Sequence, residues 1–246
     1  IRNTFTNLVK EPEYQKPYKP LLENVKPSNA YFYVFIGLNK SNEELQLPTK
    51  NMWIYPSYDF DTFNKFYKDP VNEKPYVFLA FPSVKDSTWN NRFPNKNTCV
   101  ALSVLPYSLF EQWKDEKCTN RSEEYKEFKN KIAENILQNS LYTYFPDLKK
   151  HVDHKNIASA LSTQFYINTP KGECLGLEHT STRFKSQLLN PDTHIKNLFL
   201  TGQDTVSGGF TGALSGAILC AYSLLNYGYL TDFILQRDLV KELQYL

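Results

Sequence analysis

The sequence has no marked excess of either charge: 28 Lys and Arg stand against 26 Asp and Glu, a formal net charge of +2. Nucleic-acid binding draws on a basic stripe or a strongly positive domain, so this balance argues against nucleic acid as a partner. Cysteine is scarce as well. Cys99, Cys118, Cys174 and Cys220 lie far apart, with no CxxC pair and no Cys/His cluster at metal-ligand spacing. That pattern gives no basis for a metal site, a disulfide framework or a redox dithiol, and four buried free thiols are expected. His151 and His154 stand three apart in a lysine-rich segment without a third ligand, so they read as a surface pair. A long apolar run is missing too: Phe210 to Leu225 is broken by Thr211, Gly212, Ser215 and Gly216 and falls short of the roughly 20 residues a bilayer span needs. It is expected to be a buried helix. Neither an internal repeat nor a low-complexity segment occurs. The chain opens on Ile1 with no charged-then-apolar leader after it, and its true start is expected upstream.

What the sequence has in quantity is aromatic side chains, 17 Phe and 17 Tyr. Rings in such number exceed what a core of this size usually needs, and they also suit a pocket for a flat apolar ligand. Residues 1–28 are rich in Pro, Lys and Glu, and prolines at 12, 17, 20 and 27 forbid a long regular element, which predicts a linker or a wrapped arm. Four β-rich runs follow, at residues 30–38, 51–55, 76–81 and 99–105, suggesting a sheet with an open face. No crossover helix separates the first two, so that pair is expected to be antiparallel. A short helix is expected within 58–69. Helical periodicity then appears over 108–117 and 122–144, where Phe128, Ile132, Ile136 and Leu137 form an apolar stripe and Ser122 caps, with Glu123 and Glu124 near the positive dipole end. Residues 163–168 and 197–201 read as strands, about 208–226 as a helix, and another helix starts at Thr231.

The segment with the most chemical content is Leu198-Phe199-Leu200-Thr201-Gly202-Gln203-Asp204, followed by Gly208-Gly209-Phe210-Thr211-Gly212-Ala213-Leu214-Ser215-Gly216-Ala217. It predicts strand, turn and helix. Glycines let the backbone pass close to a ligand, and N–H groups at a helix start can bond a flavin carbonyl or a phosphate, while Asp204 can accept from a sugar hydroxyl. Packing alone also accounts for such a cluster: Gly208, Gly212, Gly216 and Cys220 recur every four residues and give a smooth helix face to set against a sheet.

In this order, the segment resembles the C-terminal flavin-binding segment of the retinol saturases, relatives of the phytoene desaturases and carotenoid isomerases. Two further segments resemble the same family in the expected order. One is Phe81-Pro82-Ser83-Val84-Lys85-Asp86-Ser87-Thr88-Trp89 with Arg92-Phe93-Pro94. The other is Thr163-Gln164-Phe165-Tyr166 with Pro170-Lys171-Gly172 through Gly176 and His179. Phe35-Ile36-Gly37-Leu38 fits as well, so the resemblance spans about residues 28 to 226.

The resemblance implies an α/β flavoenzyme of the amine-oxidase or phytoene-desaturase type, seen here as α+β. Residues 29–168 would be mainly a substrate-binding domain on a mixed or antiparallel sheet, and residues 169–246 the returning part of the FAD-binding domain. Gly202, Gln203, Asp204, Gly208, Gly209, Phe210, Thr211 and Gly212 would border FAD, and the aromatic sheet would line a lipid pocket. The implied reaction is reduction of the 13,14 double bond of all-trans-retinol by reduced flavin, recharged by NAD(P)H or another donor, at the endoplasmic reticulum or nuclear membrane. The family's opening Gly-x-Gly-x-x-Gly is nowhere in these residues, so a dinucleotide-binding N-terminal segment is expected outside them. No catalytic side chain is assigned. His179 suits proton donation but suits a hydrogen-bonded structural role better, and Ser83, Lys85 and Asp86 fit a substrate entrance or an exposed turn equally. A carotenoid isomerase or desaturase, a lipid-binding remnant without catalysis, and a structural role without a ligand stay open beside the reductase.

Overall fold

Residues 1–235 are described by the structure, a computed structural model, with side chains as far as residue 225. The chain divides into two units, Asn29–Glu173 and Ile1–Ser28 with the residues from Cys174 onward. Each has its own apolar core.

The first unit is built on five strands: β1 (Ala30–Leu38), β2 (Met52–Ile54), β3 (Val77–Ala80), β4 (Asn97–Leu105) and β5 (Val152–Ala158). They lie in the order β2-β3-β4-β1-β5 with every neighbouring pair antiparallel. β1 and β2 therefore run in opposite directions, but they are not the expected pair, because β3 and β4 lie between them. Length decides this: β1 and β4 match residue for residue from Ala30↔Leu105 to Leu38↔Asn97, a ladder three-residue β2 cannot offer. β5 carries Asp153, His154, Lys155 and Asn156 exposed and is held at the sheet edge by main-chain pairing with β1, which suits a charged edge strand.

Alternation along β1 sends Phe32, Val34, Ile36 and Leu38 to one face, where they are buried with Val77, Leu79, Cys99, Ala101 and Leu105. The helix Glu123–Gln138 closes that face with Ile132, Ala133, Ile136 and Leu137, all fully buried, and Phe128 packs beside them. Each such aliphatic side chain stabilises the fold by about 1.5–3 kcal/mol. Ser122 caps the helix, its hydroxyl accepting from the Tyr125 amide at 3.4 Å, as its sequence position suggests. The periodic stretch is broken after Gln138, and a second short helix, Leu141–Tyr144, follows. Residues 108–117 form two 3-10 turns, Tyr107–Leu109 and Glu111–Trp113, instead of an α-helix.

The strand expected at 163–168 is a helix, Ala160–Ile167. Its β-branched and aromatic composition is overridden by its ends: Ser159 and Ser162 make a reciprocal capping box, and Asn168 adopts the left-handed conformation that ends a helix.

In the second unit the N-terminal residues fold as short pieces, consistent with their prolines: a π-helical turn at Thr4–Leu8 and helices Pro12–Gln15 and Tyr18–Asn24. Phe5, Tyr18, Leu21, Leu22 and Val25 are buried with Leu177, Leu189 and Leu200. Main-chain bonds tie the arm down: Ser28 N–H donates to Gly176 C=O at 2.8 Å, and Glu178 N–H to Lys26 C=O at 2.9 Å. The strand expected at 197–201 shows only one bridge, Asp192↔Phe199, since among the described residues no longer partner comes alongside to build a ladder. After it comes one helix, Gly209–Leu235, unbroken through Thr231 where a new helix was expected; the remainder of that expectation, 236–246, lies outside the described residues. Among the described residues no helix is long and apolar enough to cross a membrane.

Candidate functional site

The glycine turn stands between Leu200 and the start of the long helix. Gly202 and Gly209 have φ of 91° and 89°, a region closed to most L-residues, so glycine is required by the backbone path at both. Apart from its chain neighbours and the helix's own backbone, a Cβ placed on either would meet no atom of the described residues within 4 Å. The main chain is thus bare there, which is the geometry a flat group needs to come against a backbone.

Polar side chains set the shape of this turn. Gln203 spans it, accepting from Gly209 N–H through Oε1 at 3.0 Å and donating through Nε2 to Cys174 C=O at 3.3 Å. Asp204 turns toward its own chain: Oδ1 accepts from Leu177 N–H at 2.8 Å, and a Cβ on Gly176 would overlap that oxygen at 2.1 Å. Arg183, 1% exposed, donates from Nη2 to Gln203 C=O at 2.7 Å and from Nη1 to Leu177 C=O, while its Nε has no hydrogen-bond partner among the described residues. Burial lowers the Arg183 pKa, and the Asp204 carboxylate works against that. Gly208 N–H donates to His179 Nε2 at 2.8 Å. Burial, then the Arg183 charge, lowers the His179 pKa, with Asp204 opposing.

The four-residue glycine spacing has a different partner from the sheet expected for it. A Cβ on Gly212 would lie 1.7 Å from Ser207 C=O oxygen, and one on Gly216 would lie 2.3 Å from that of Gly202 and 2.4 Å from Thr205 Oγ1. The helix packs on the turn that leads into it. Phe210 and Thr211 are exposed at the helix start, Phe210 at 85%, and Leu214, Ile218, Leu219, Leu224 and Leu225 are exposed after them, so the helix expected to be buried is not. The structure thus gathers all eight candidate residues at one turn, brings Gly176 of the preceding family-like segment against Asp204, and adds one residue that sequence reading missed, Arg183. A buried arginine carries no local motif, which is why only the fold exposes it.

Elsewhere the candidates separate. Ser83 is buried, donating to Asn97 Oδ1 at 2.8 Å and accepting from Thr98 N–H at 2.9 Å, so it braces its own loop. Lys85 pairs with Asn51, and Asp86 with Thr88 and Arg92, whose hydrogen bonds and charge hold its carboxyl below the usual range. His151 ends a 3-10 turn and His154 sits on β5 opposite Gly37. Among the described residues no three His, Cys, Asp or Glu side chains gather as a metal site.

The outer face of the sheet is a second candidate surface. Cross-strand register places Trp53, Phe78, Leu102 and Tyr33 in one row across four strands, with Val100 and Phe35 paired in the next. Tyr33 and Phe35 stack at 5.6 Å, Trp53 meets Phe78 at 4.8 Å, and Tyr55, Phe63 and Tyr76 cluster at the end of the wall. Burial, with Tyr55 and Tyr31 nearby, pushes the Tyr76 phenol up to about 12, so it stays protonated. A cavity of about 550 Å³ opens beside this cluster between Tyr55, Tyr58 and Phe60, within the roughly 300–1,000 Å³ of small-molecule pockets. The roomiest cavity described, about 650 Å³, lies along the N-terminal arm between Phe5, Lys16, Lys19 and Leu22 and includes no residue of the glycine turn, so volume alone does not locate the chemistry.

No family model matches the chain. Curated proteins do. It is 35% identical over 235 residues to an all-trans-retinol 13,14-reductase of Danio rerio, covering 92% of this chain and 39% of that protein. To the all-trans-retinol 13,14-reductase of Homo sapiens it is 36% identical over 222 residues, 87% of this chain and 36% of that protein. The chain is a homologue of the all-trans-retinol 13,14-reductases. It spans about two fifths of their length, and the aligned part takes in nearly all of its own. An inactive all-trans-retinol 13,14-reductase of Danio rerio is also similar, 30% identical over 98% of this chain and 41% of that protein.

Proposed function

We propose that the whole protein is an FAD-dependent reductase of a conjugated polyene double bond, acting on the 13,14 bond of all-trans-retinol. The observation that carries this is the bare backbone at Gly202 and Gly209, lying in a segment that resembles the flavin-binding end of the retinol saturases, in a chain homologous to the retinol 13,14-reductases. The fold to which the residues fit is the FAD-dependent amine-oxidase type. Its cofactor domain would take in the glycine turn, and the sheet of the first unit would be the floor for substrate.

Held against the bare main chain at Gly202 and Gly209, FAD would supply, when reduced, the hydride that the double bond needs. The chain's own part is positional. Gly202 and Gly209 admit a flat ring system or its sugar-like chain to the main chain, and Gln203, Asp204 and Arg183 keep the turn from shifting. The wall of Tyr33, Phe35, Trp53 and Phe78 offers rings to a polyene and keeps water from it. Electrons would come from NAD(P)H or another donor, and a membrane-dissolved substrate fits work at the endoplasmic reticulum or nuclear membrane.

The test is to express the whole protein, record its visible spectrum, and follow all-trans-retinol. A flavin spectrum with loss of the 13,14 double bond is the expected result; absence of flavin sinks the proposal. The inactive relative favours a second reading, a retinoid-binding protein without catalysis. That reading predicts bound retinol recovered unchanged with flavin and reductant present, whereas a preference for longer polyenes would move the substrate toward carotenoids.

A further inference from the structure

We infer that His179 is the positioning residue of the glycine turn, its Nε2 holding the Gly208 amide so that the helix start meets the flavin in a fixed orientation. This rests on the flavin reading above. The geometry is specific: Nε2 accepts from Gly208 N–H at 2.8 Å, and a Cβ on Gly208 would come within 2.8 Å of Cε1 of the same ring, so imidazole and turn are in contact. An imidazole that accepts at Nε2 is neutral and carries its proton on Nδ1. To donate from Nε2 it would have to release Gly208 first.

The amides at the helix start explain why this hold matters. Helix geometry leaves the first N–H groups without partners inside the helix. Gly208 N–H goes to His179 and Gly209 N–H to Gln203 Oε1, both satisfied from the chain itself. The next two, those of Phe210 and Thr211, are left by that geometry as the donors for an electron-rich edge. His179 and Gln203 thus decide which amides a flavin finds.

The charged groups facing the ring are Arg183 and Asp204, and the Phe184 ring lies 5.6 Å away. With Arg183 buried and donating to Gln203 C=O, a second positive charge on His179 would be added beside a cation already engaged. Protonation at Nε2 also removes the acceptor. Acidification is therefore expected to loosen the turn and weaken flavin binding.

The experiment compares the full-length wild type with His179→Gln, whose amide oxygen reaches about as far as Nε2 and does not titrate, and His179→Phe, which keeps a ring and loses the acceptor. Flavin dissociation constants are measured by fluorescence from neutral to mildly acid pH, and Gly208 amide exchange is measured without flavin. The expected result is about tenfold weaker flavin binding in His179→Phe at neutral pH, near-wild-type binding in His179→Gln, and a pH dependence present in the wild type but flattened in His179→Gln. Equal affinities and identical pH profiles in all three, with wild-type flavin binding intact, overturn the positioning role alone. Failure of the wild type to bind flavin at any pH overturns the reading beneath it, and the Gly208 exchange rates then report whether the bond itself exists. Should His179→Phe fail to fold, the pH profiles of the other two still decide.

Discussion

The sheet unit and the glycine turn of this protein are held by different forces. In Asn29–Glu173 a helix with four fully buried aliphatic positions closes one face of a five-stranded antiparallel sheet, so the stabilisation is spread over many interchangeable contacts. Around the glycine turn a few polar side chains each bond to main chain: Arg183 to two carbonyls, Asp204 to Leu177, Gln203 to Gly209 and Cys174, His179 to Gly208. Spread apolar contact suits a scaffold. Directional bonds suit a segment that has to present its backbone in one shape, because each fixes an angle as well as a distance.

The contrast can be broken most directly at Ile136. Ile136→Ala should cost about 2–5 kcal/mol in urea unfolding, by lost burial and a cavity under the sheet, while the turn keeps its shape. A cost well under 1 kcal/mol would mean that the sheet core is not the main support. Arg183→Leu is the counterpart at the turn and should cost about 1–3 kcal/mol by leaving the Leu177 and Gln203 carbonyls unpaired in a buried place. Unlike Ile136→Ala, it should reduce flavin retention beyond its effect on stability, which equilibrium dialysis of the folded variant would measure.

Gly202→Ala should be milder, at about 1–2 kcal/mol for a left-handed backbone, since nothing surrounds the added methyl. Loss of flavin out of proportion to this strain would sharpen the view that the bare side of Gly202 faces a ligand. The His179 pKa gives a smaller, pH-dependent effect. Its folded value is lowered, so the unfolded chain binds a proton more readily, and stability should fall as pH drops through the ordinary histidine range toward the lowered value. Melting temperatures should show this acid loss in the wild type and a shallower one in His179→Gln. Smallest of all in stability is Phe35→Ala on the outer sheet face, where Phe35 is 44% exposed and truncation should change unfolding by no more than about 0.5 kcal/mol. Retinol binding should nevertheless weaken, and unchanged binding would remove this face from the substrate site.

Much of the sheet was legible because β1, β3 and β4 are runs rich in β-branched, aromatic and other apolar residues bounded by turn residues, while the alternation that decides which face is buried appears only in the fold. β5 was not, since Asp153, His154 and Lys155 give no apolar alternation; only main-chain pairing with β1 makes a strand of them. The Ala160–Ile167 helix was misread for the opposite reason. Its Thr, Phe, Tyr and Ile have strand-like composition, while the deciding signals are the side-chain caps at Ser159 and Ser162 and the left-handed backbone of Asn168. At the candidate site, the eight residues of the turn were visible as a pattern of glycines with Gln203 and Asp204. Of their partners, His179 was visible as a hydrogen-bonding residue but not its target Gly208, and Arg183 was not visible at all, because both reach the turn from about twenty to thirty positions away in sequence.

By itself, the sequence determined the β-rich composition of the main strands and the periodicity of the long capped helix, the glycines where the turn needs a positive φ, and a likeness to one enzyme family. These depend on neighbours along the chain. Which strand lies beside which, that Gly212 and Gly216 receive their own turn and not a sheet, and that Arg183 and His179 hold that turn were decided only in the tertiary structure. The physical reason is the same in each case: the partner is supplied by a distant segment, and the bond exists only once folding has brought both to one place.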